Sequence, residues 1–208
     1  MERTRVGILI SGRGSNMEAL VRAARDPAYP AEIVVVISNR PEARGIAVAR
    51  ELGIATVVVD HKSYATRDAF EAGLDRELAR HQVAFVACAG FMRVLTEGFI
   101  ARWKGRILNI HPSLLPAYRG LDTHLRALSD GVKIHGCTVH FLGVDVDDGP
   151  IIAQAAVPVV TGDTPASLAD RVLKAEHRLY PAALAVVVTG RLRRADGPQP
   201  EPMFVPPL

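Results

Sequence analysis

The amino-acid sequence predicts an α/β chain, an open, mostly parallel, twisted sheet with helices on both faces. Three observations predict it. Five short apolar runs rich in β-branched residues recur over 6–10, 33–38, 55–59, 83–87 and 107–110. These runs are nearly continuous rather than alternating, as expected of strands covered on both faces. Segments of helical periodicity separate them, and strand alternating with helix implies right-handed crossovers and parallel pairing.

The first strand, 6–10, runs into Ser11-Gly12-Arg13-Gly14-Ser15-Asn16 and then a helix over 17–24. A strand over 33–38, a helix over 42–51, a strand over 55–59, a helix over 67–80 and a strand over 83–87 continue the alternation. The run at 107–110 leads into His111-Pro112. Later runs at 139–142 and 151–160 read as strands, arranged as a hairpin around Asp147-Asp148-Gly149-Pro150. Thr164 before Pro165 marks a helix start, with the threonine as cap. That helix passes Glu176-His177, and Pro181 is expected to begin a second segment. Prolines at 198, 200, 202, 206 and 207 oppose regular structure, so the end of the chain reads as a loose tail. No internal repeat is present.

Composition removes several function classes. A chain of 208 residues with 49% hydrophobic residues is not mostly disordered and can bury a full core. Its 25 basic and 22 acidic residues leave a net charge of +3, which permits an anionic small ligand. No dense Lys/Arg block interleaves with aromatics, which make up 5%, so nucleic acid is not indicated. No apolar stretch approaches the ~18 residues of a membrane span, and the run after the charged start is too short for a signal peptide. Cys88 and Cys137 cannot build a disulfide framework, and no Cys/His cluster has zinc-ligand spacing. A reducing compartment follows as the simpler setting.

Three segments carry chemistry. The glycine loop Gly12-Arg13-Gly14-Ser15-Asn16 lies between a strand and a helix, where glycines let the backbone approach a ligand and helix amides attract an anion. Phosphate is the guest this favours. Met17 replaces the third glycine of a dinucleotide loop, and no Gly-Lys-Ser/Thr follows as in a P-loop. A tight turn with Ser15 or Asn16 as helix cap is the plain alternative. Asn109 and His111 sit two apart at the end of a strand, so both side chains point to one face, at the sheet end where α/β proteins bind ligands. An amide donor and an imidazole could hold an oxyanion and move a proton. The third segment is Val146-Asp147-Asp148-Gly149-Pro150, by default a turn. Folded over the crevice, it would place a carboxylate beside His111 and favour the imidazolium.

The combination resembles the folate-dependent phosphoribosylglycinamide formyltransferases. Ile10 to Asn16, Ala89-Gly90-Phe91-Met92-Arg93-Val94-Leu95, Leu108 to Pro116 and Val146 to Pro150 occur in that family's order, and the likeness spans about residues 5 to 192. The Asn-x-His-Pro-Ser-Leu-Leu-Pro stretch marks the wider formyltransferase group. The glycine loop points to the glycinamide ribonucleotide branch. The resemblance implies the formyltransferase fold, a Rossmann-like sheet, in one domain over 1–192. A phosphate-binding half reaches to about residue 100 and a catalytic and folate half covers about 101–192, with 193–208 as a Pro-rich tail.

It also implies the reaction: an amine attacks the formyl carbon of the co-substrate 10-formyltetrahydrofolate, with no metal. Asn109 would donate to the oxyanion, His111 would be the general acid, and Asp147 would hold His111 charged and order a proton-relay water. Gly12, Gly14, Ser15 and Asn16 would grip the phosphate of glycinamide ribonucleotide, and Glu176 its ribose. Arg67, Met92, Arg93, Val94 and Leu95, with Asn109, would bind the folate. For Arg67 alone, a solvent-facing helix residue is the better reading, and Arg93 could equally be a solvated arginine beyond a strand end.

Asp148 stands where relatives usually carry Gly or Ala. The family's register selects Asp147 for the catalytic role and leaves Asp148 as the turn residue. His124 matches a histidine near the site, Asp122 reads as its neighbour or as a helix cap, and His135, His140 and Cys88 read as structural. The partners implied are small molecules in the cytoplasm, with neither nucleic acid nor membrane. The family includes monomers and dimers, which leaves a homodimer open. The alternatives are another 10-formyltetrahydrofolate-using transferase or a deformylase of the same fold, and, from a different class, a phosphate-binding module that uses only the glycine loop.

Overall fold

The first apolar run and its flanks form strand β1, Thr4–Ile10, followed by helix α1, Ser15–Ala23, strand β2, Ala31–Ser38, and helix α2, Arg44–Glu51. The computed structural model describes residues 2–190 and 203–205. The chain divides into two compact units, Met1–Asn109 and Ile110 onward. In the first unit, strand β3 (Thr56–Val58), a short 3-10 turn (His61–Ser63), helix α3 (Arg67–Arg80), strand β4 (Phe85–Cys88) and helix α4 (Glu97–Arg102) lead to strand β5 (Ile107–His111). Strand β5 carries the chain from the first unit into the second.

The pairing follows from that alternation. Strand β1 pairs in parallel with β2 and with β4, β2 with β3, and β4 with β5. Ile8, Leu9 and Ile10 of β1 are all fully buried. Successive strand residues point to opposite faces, so both faces of β1 are covered. Helix α3 has the bounds its pattern predicts, with the Thr66 hydroxyl accepting the Ala69 N–H at 3.2 Å as its cap.

Helix α4 is absent from the sequence reading, because six residues are too few to show a period. Tertiary bonds define it. The buried Glu71 of α3 accepts the Thr96 backbone N–H at 2.7 Å and the Thr96 hydroxyl, and Asp75 accepts the Trp103 indole N–H at 2.8 Å.

The second unit holds helix α5 (Thr123–Ser129), for which the sequence offered only Asp122 as a possible cap, strands β6 (Ile134–Phe141) and β7 (Ile151–Pro158), and helix α6 (Pro165–Val188). Strands β6 and β7 form the expected antiparallel hairpin, in which Gly136 faces Ala156. A side chain at Gly136 would put its Cβ 2.0 Å from the Ala155 carbonyl oxygen, so only glycine fits. Strand β6 starts five residues before the expected 139, because Gly136 interrupts its apolar pattern.

Helix α6 begins with a capping box between Thr164 and Ser167 and continues through Pro181. This corrects the expected break. The proline forfeits one helical N–H, but the buried Leu179, Tyr180, Ala183 and Leu184 around it hold the helix in one piece. In the tail, Met203–Val205 form strand β8, parallel to β7, where loose structure was expected. The expectation for the remainder of 191–208 falls on residues outside those described. Among the described residues parallel pairing predominates, as the sequence predicts, and the β6–β7 hairpin is antiparallel. No helix among the described residues is long and apolar enough to cross a membrane.

Candidate active site

The first unit carries the glycine loop. Gly14 is the N-cap residue of α1, left-handed at φ 80°, and no side chain caps the helix. The expected alternative, Ser15 or Asn16 as cap, is therefore not what starts this helix, because the cap position is Gly14, which has no side chain. Gly14 is required by close approach as well as by φ: a Cβ there would lie 2.9 Å from the Gly45 Cα. The Gly45 N–H in turn donates to the Gly12 carbonyl at 2.9 Å. Ser15 is half-buried and Asn16 buried.

Ser11 ties this loop to the segment after β4. Its hydroxyl donates to Asn39 Oδ1 at 2.6 Å and accepts the Met92 N–H at 2.7 Å, and its own N–H donates to the Gly90 carbonyl at 3.1 Å. Met92, Arg93 and Val94 are exposed on that segment, and Leu95 is buried as its anchor. Arg67 is exposed at the first position of α3 and takes no part in the Ser11 network. Asn109 is half-buried on β5, two residues before His111.

In the second unit the structure brings His111 and Asp147 together. The His111 Nδ1 lies 3.2 Å from Asp147 Oδ2, with only 7% and 11% of the two side chains exposed. The His111 Nε2 lies 2.9 Å from the Tyr118 carbonyl oxygen. A carbonyl and an ionised carboxylate only accept hydrogen bonds. The imidazolium, which donates from both nitrogens, satisfies both at once, whereas a neutral ring satisfies one. Asp147 Oδ2 also accepts the Gly120 N–H at 3.0 Å. Asp147 itself is left-handed at φ 53°, a conformation its turn imposes. Asp148, by contrast, pairs with the Arg119 guanidinium. The two adjacent carboxylates thus face different partners.

Histidines pack around this pair. The rings of His124 and His135 stand edge to face at 5.3 Å, and Tyr118 meets His135 at 5.8 Å. Burial lowers the pKa of His124, and the charge on His111 lowers it further. Burial is also the main cause that takes His135 down to about 4. His140 is lowered by burial too. Its Nδ1 is 2.8 Å from the Phe141 carbonyl oxygen and its Nε2 is 3.8 Å from Asp147 Oδ1. Burial thus disfavours the charged form of each of these three rings.

Glu176 is buried on α6, and its charge adds to burial in raising the Cys137 thiol. Burial pushes the Cys88 thiol up to about 12, so neither cysteine is a thiolate at pH 7. The sequence reading did not find Ser11 as a brace, nor the Tyr118 carbonyl, Arg119 and the Gly120 N–H. Ser11 could have been noticed as a hydroxyl at the end of a strand beside the first glycine.

Comparison with known proteins gives the chain's relatives. The formyl transferase family matches residues 4–184. The chain is 47% identical over 191 residues to the trifunctional purine biosynthetic protein adenosine-3 of Gallus gallus, covering 92% of this chain and 19% of that protein. The chain thus spans 14–19% of the length of the trifunctional relatives. It is 41% identical over 186 residues to the phosphoribosylglycinamide formyltransferase of Escherichia coli, covering 89% of this chain and 88% of that one. The crystal structure of phosphoribosylglycinamide formyltransferase from Brucella melitensis superposes with a TM-score of 0.87 at 56% identity, over 91% of this chain and 97% of that chain.

Proposed function

The chain belongs to the formyl transferase family, and from that premise we propose that it moves the formyl group of 10-formyltetrahydrofolate to the amine of 5'-phosphoribosylglycinamide, a step of purine synthesis. The observation that carries the reading is the buried contact of His111 Nδ1 with Asp147 Oδ2 at 3.2 Å. It supports the reading because an imidazole held by a buried carboxylate suits a general acid that also donates to an oxyanion.

The amine nitrogen forms a bond to the formyl carbon as the carbonyl electrons move to oxygen. Asn109 and His111 donate to that oxygen. The amine gives up a proton to a water ordered by Asp147. Collapse breaks the bond from the formyl carbon to the folate nitrogen, which takes a proton from His111 and leaves. The water passes the amine's proton on to His111, so one proton is lost by the attacking amine, one is gained by the leaving nitrogen, and the acid is restored.

The chain's own residues fit the two substrates. The N-terminal end of α1, which starts at the glycine Gly14, with Gly12, Ser15 and Asn16, suits the phosphate, and Glu176 suits the ribose hydroxyls. The exposed Met92, Arg93 and Val94, with Leu95 and Arg67, suit the folate. The reading carries with it a cytoplasmic enzyme that acts on small molecules without a metal.

A steady-state assay of the purified chain tests it. Absorbance change from the folate is expected only when glycinamide ribonucleotide and 10-formyltetrahydrofolate are both present. Turnover without the ribonucleotide would replace this reading with a deformylase. A folded chain that turns over neither mixture would leave the phosphate-binding module.

A further inference from the structure

Three consecutive residues fasten onto the His111 pair and the turn beside it. The Tyr118 carbonyl oxygen lies 2.9 Å from His111 Nε2, the Arg119 guanidinium pairs with Asp148, and the Gly120 N–H donates to Asp147 Oδ2 at 3.0 Å. Tyr118 adopts φ 57°, a left-handed conformation that a residue with a Cβ disfavours. Partners outside the segment therefore hold it in place. One partner lies on α5, where Arg126 Nη1 donates to the Arg119 carbonyl at 2.6 Å. The Arg119–Asp148 pair is another, beside the His135 ring against Tyr118 and the Asp147 carboxylate on the Gly120 N–H.

This matters because of where the His111 nitrogens are committed. Nδ1 faces Asp147, so Nε2 is the nitrogen left for a substrate oxygen, and the Tyr118 carbonyl occupies it. We propose that Arg119 and Asp148 are positioning residues for formyl transfer: their ion pair latches the Tyr118–Gly120 segment onto the resting His111, and the latch must loosen before Nε2 serves the substrate. The inference rests on the formyl-transfer reading above. The pair is 44% and 42% exposed, so water screens it and it biases the latch only modestly, by about two- to five-fold. A state that must open before it works lowers apparent efficiency by its closed fraction, so weakening the latch raises efficiency.

The test compares Arg119→Ala, Asp148→Ala, the double variant and Arg119→Lys with the parent chain. In both single variants kcat/KM for 10-formyltetrahydrofolate is expected to rise about two- to five-fold. The double variant should match either single one, because both remove the same pair. Arg119→Lys, which keeps the charge, should stay near the parent. The Gly120 amide should exchange with solvent faster by the same factor in the alanine variants. A purely structural role for the pair would lower Tm without raising kcat/KM. An unchanged or lower kcat/KM, or a double variant whose effect is the product of the singles, overturns the latch. A parent chain inactive with both substrates overturns the proposed reaction instead. Gly120 exchange then decides the latch alone, and unchanged exchange in both single variants rejects it.

Discussion

His111→Ala is expected to lower kcat by about 10²- to 10⁴-fold, the range supplied by a positioned acid, with circular dichroism unchanged. The neighbouring core of β5, Ile107, Leu108 and Ile110, stays buried without the imidazole, so the strand remains in place. What is lost is the ring that bridges Asp147 and the Tyr118 carbonyl. Both substrates should still bind, because the glycine loop and the Met92–Leu95 segment are braced through Ser11 in the other unit. The effect therefore belongs in kcat rather than KM. Turnover within about ten-fold of the parent, against the range a general acid supplies, would remove His111 from the acid role and return the chain to the binding-module reading.

Asp147→Asn should have the second largest effect, a fall in kcat of about 10²- to 10³-fold. An asparagine oxygen could still accept from Gly120 and from His111. The negative charge, however, is gone from a site where the two side chains are only 7% and 11% exposed and water cannot replace it. Asp148→Asn, one residue along, should stay within about five-fold, because its partner Arg119 is half in water. Comparing kcat of the two amides in one assay checks the assignment. If Asp148→Asn were the damaging change, the turn would be working through the other carboxylate.

Much of this architecture was legible in the residues. Strand β1 and helix α3 announce themselves, the first by a continuous apolar run and the second by a period that Thr66 starts. The hairpin of β6 and β7 follows from its Asp-Asp-Gly-Pro turn. The juxtaposition of His111 with the 146–150 turn was stated as a condition, and the structure meets it with Asp147 rather than Asp148.

The elements that stayed hidden share a cause. Helices α4 and α5 span six and seven residues, too short for a period, and depend on partners such as Glu71. Pro181 reads locally as a break and is overridden by packing on both sides. In the site, the Tyr118 carbonyl and the Gly120 N–H are backbone groups, which carry no side-chain signature. Ser11 and Met92 lie 81 residues apart, and no local pattern announces their bond.

The burial of the cysteines turns them into chemical clocks. Cys88 lies in the first unit and Cys137 in the second, both buried and neither in a disulfide. Alkylating reagents attack the thiolate, and burial pushes the first of these thiols up to about 12 and raises the second as well. Each can be labelled only while its surroundings are open. When reclosing outpaces labelling, the rate is the free-thiol rate multiplied by the opening equilibrium constant, typically a slowing of about 10³- to 10⁸-fold for a whole domain. Mass analysis of the two peptides should therefore time the opening of each half of the chain separately. Equal rates at Cys88 and Cys137 would mean that both halves open in one event, and unequal rates would rank their local stabilities.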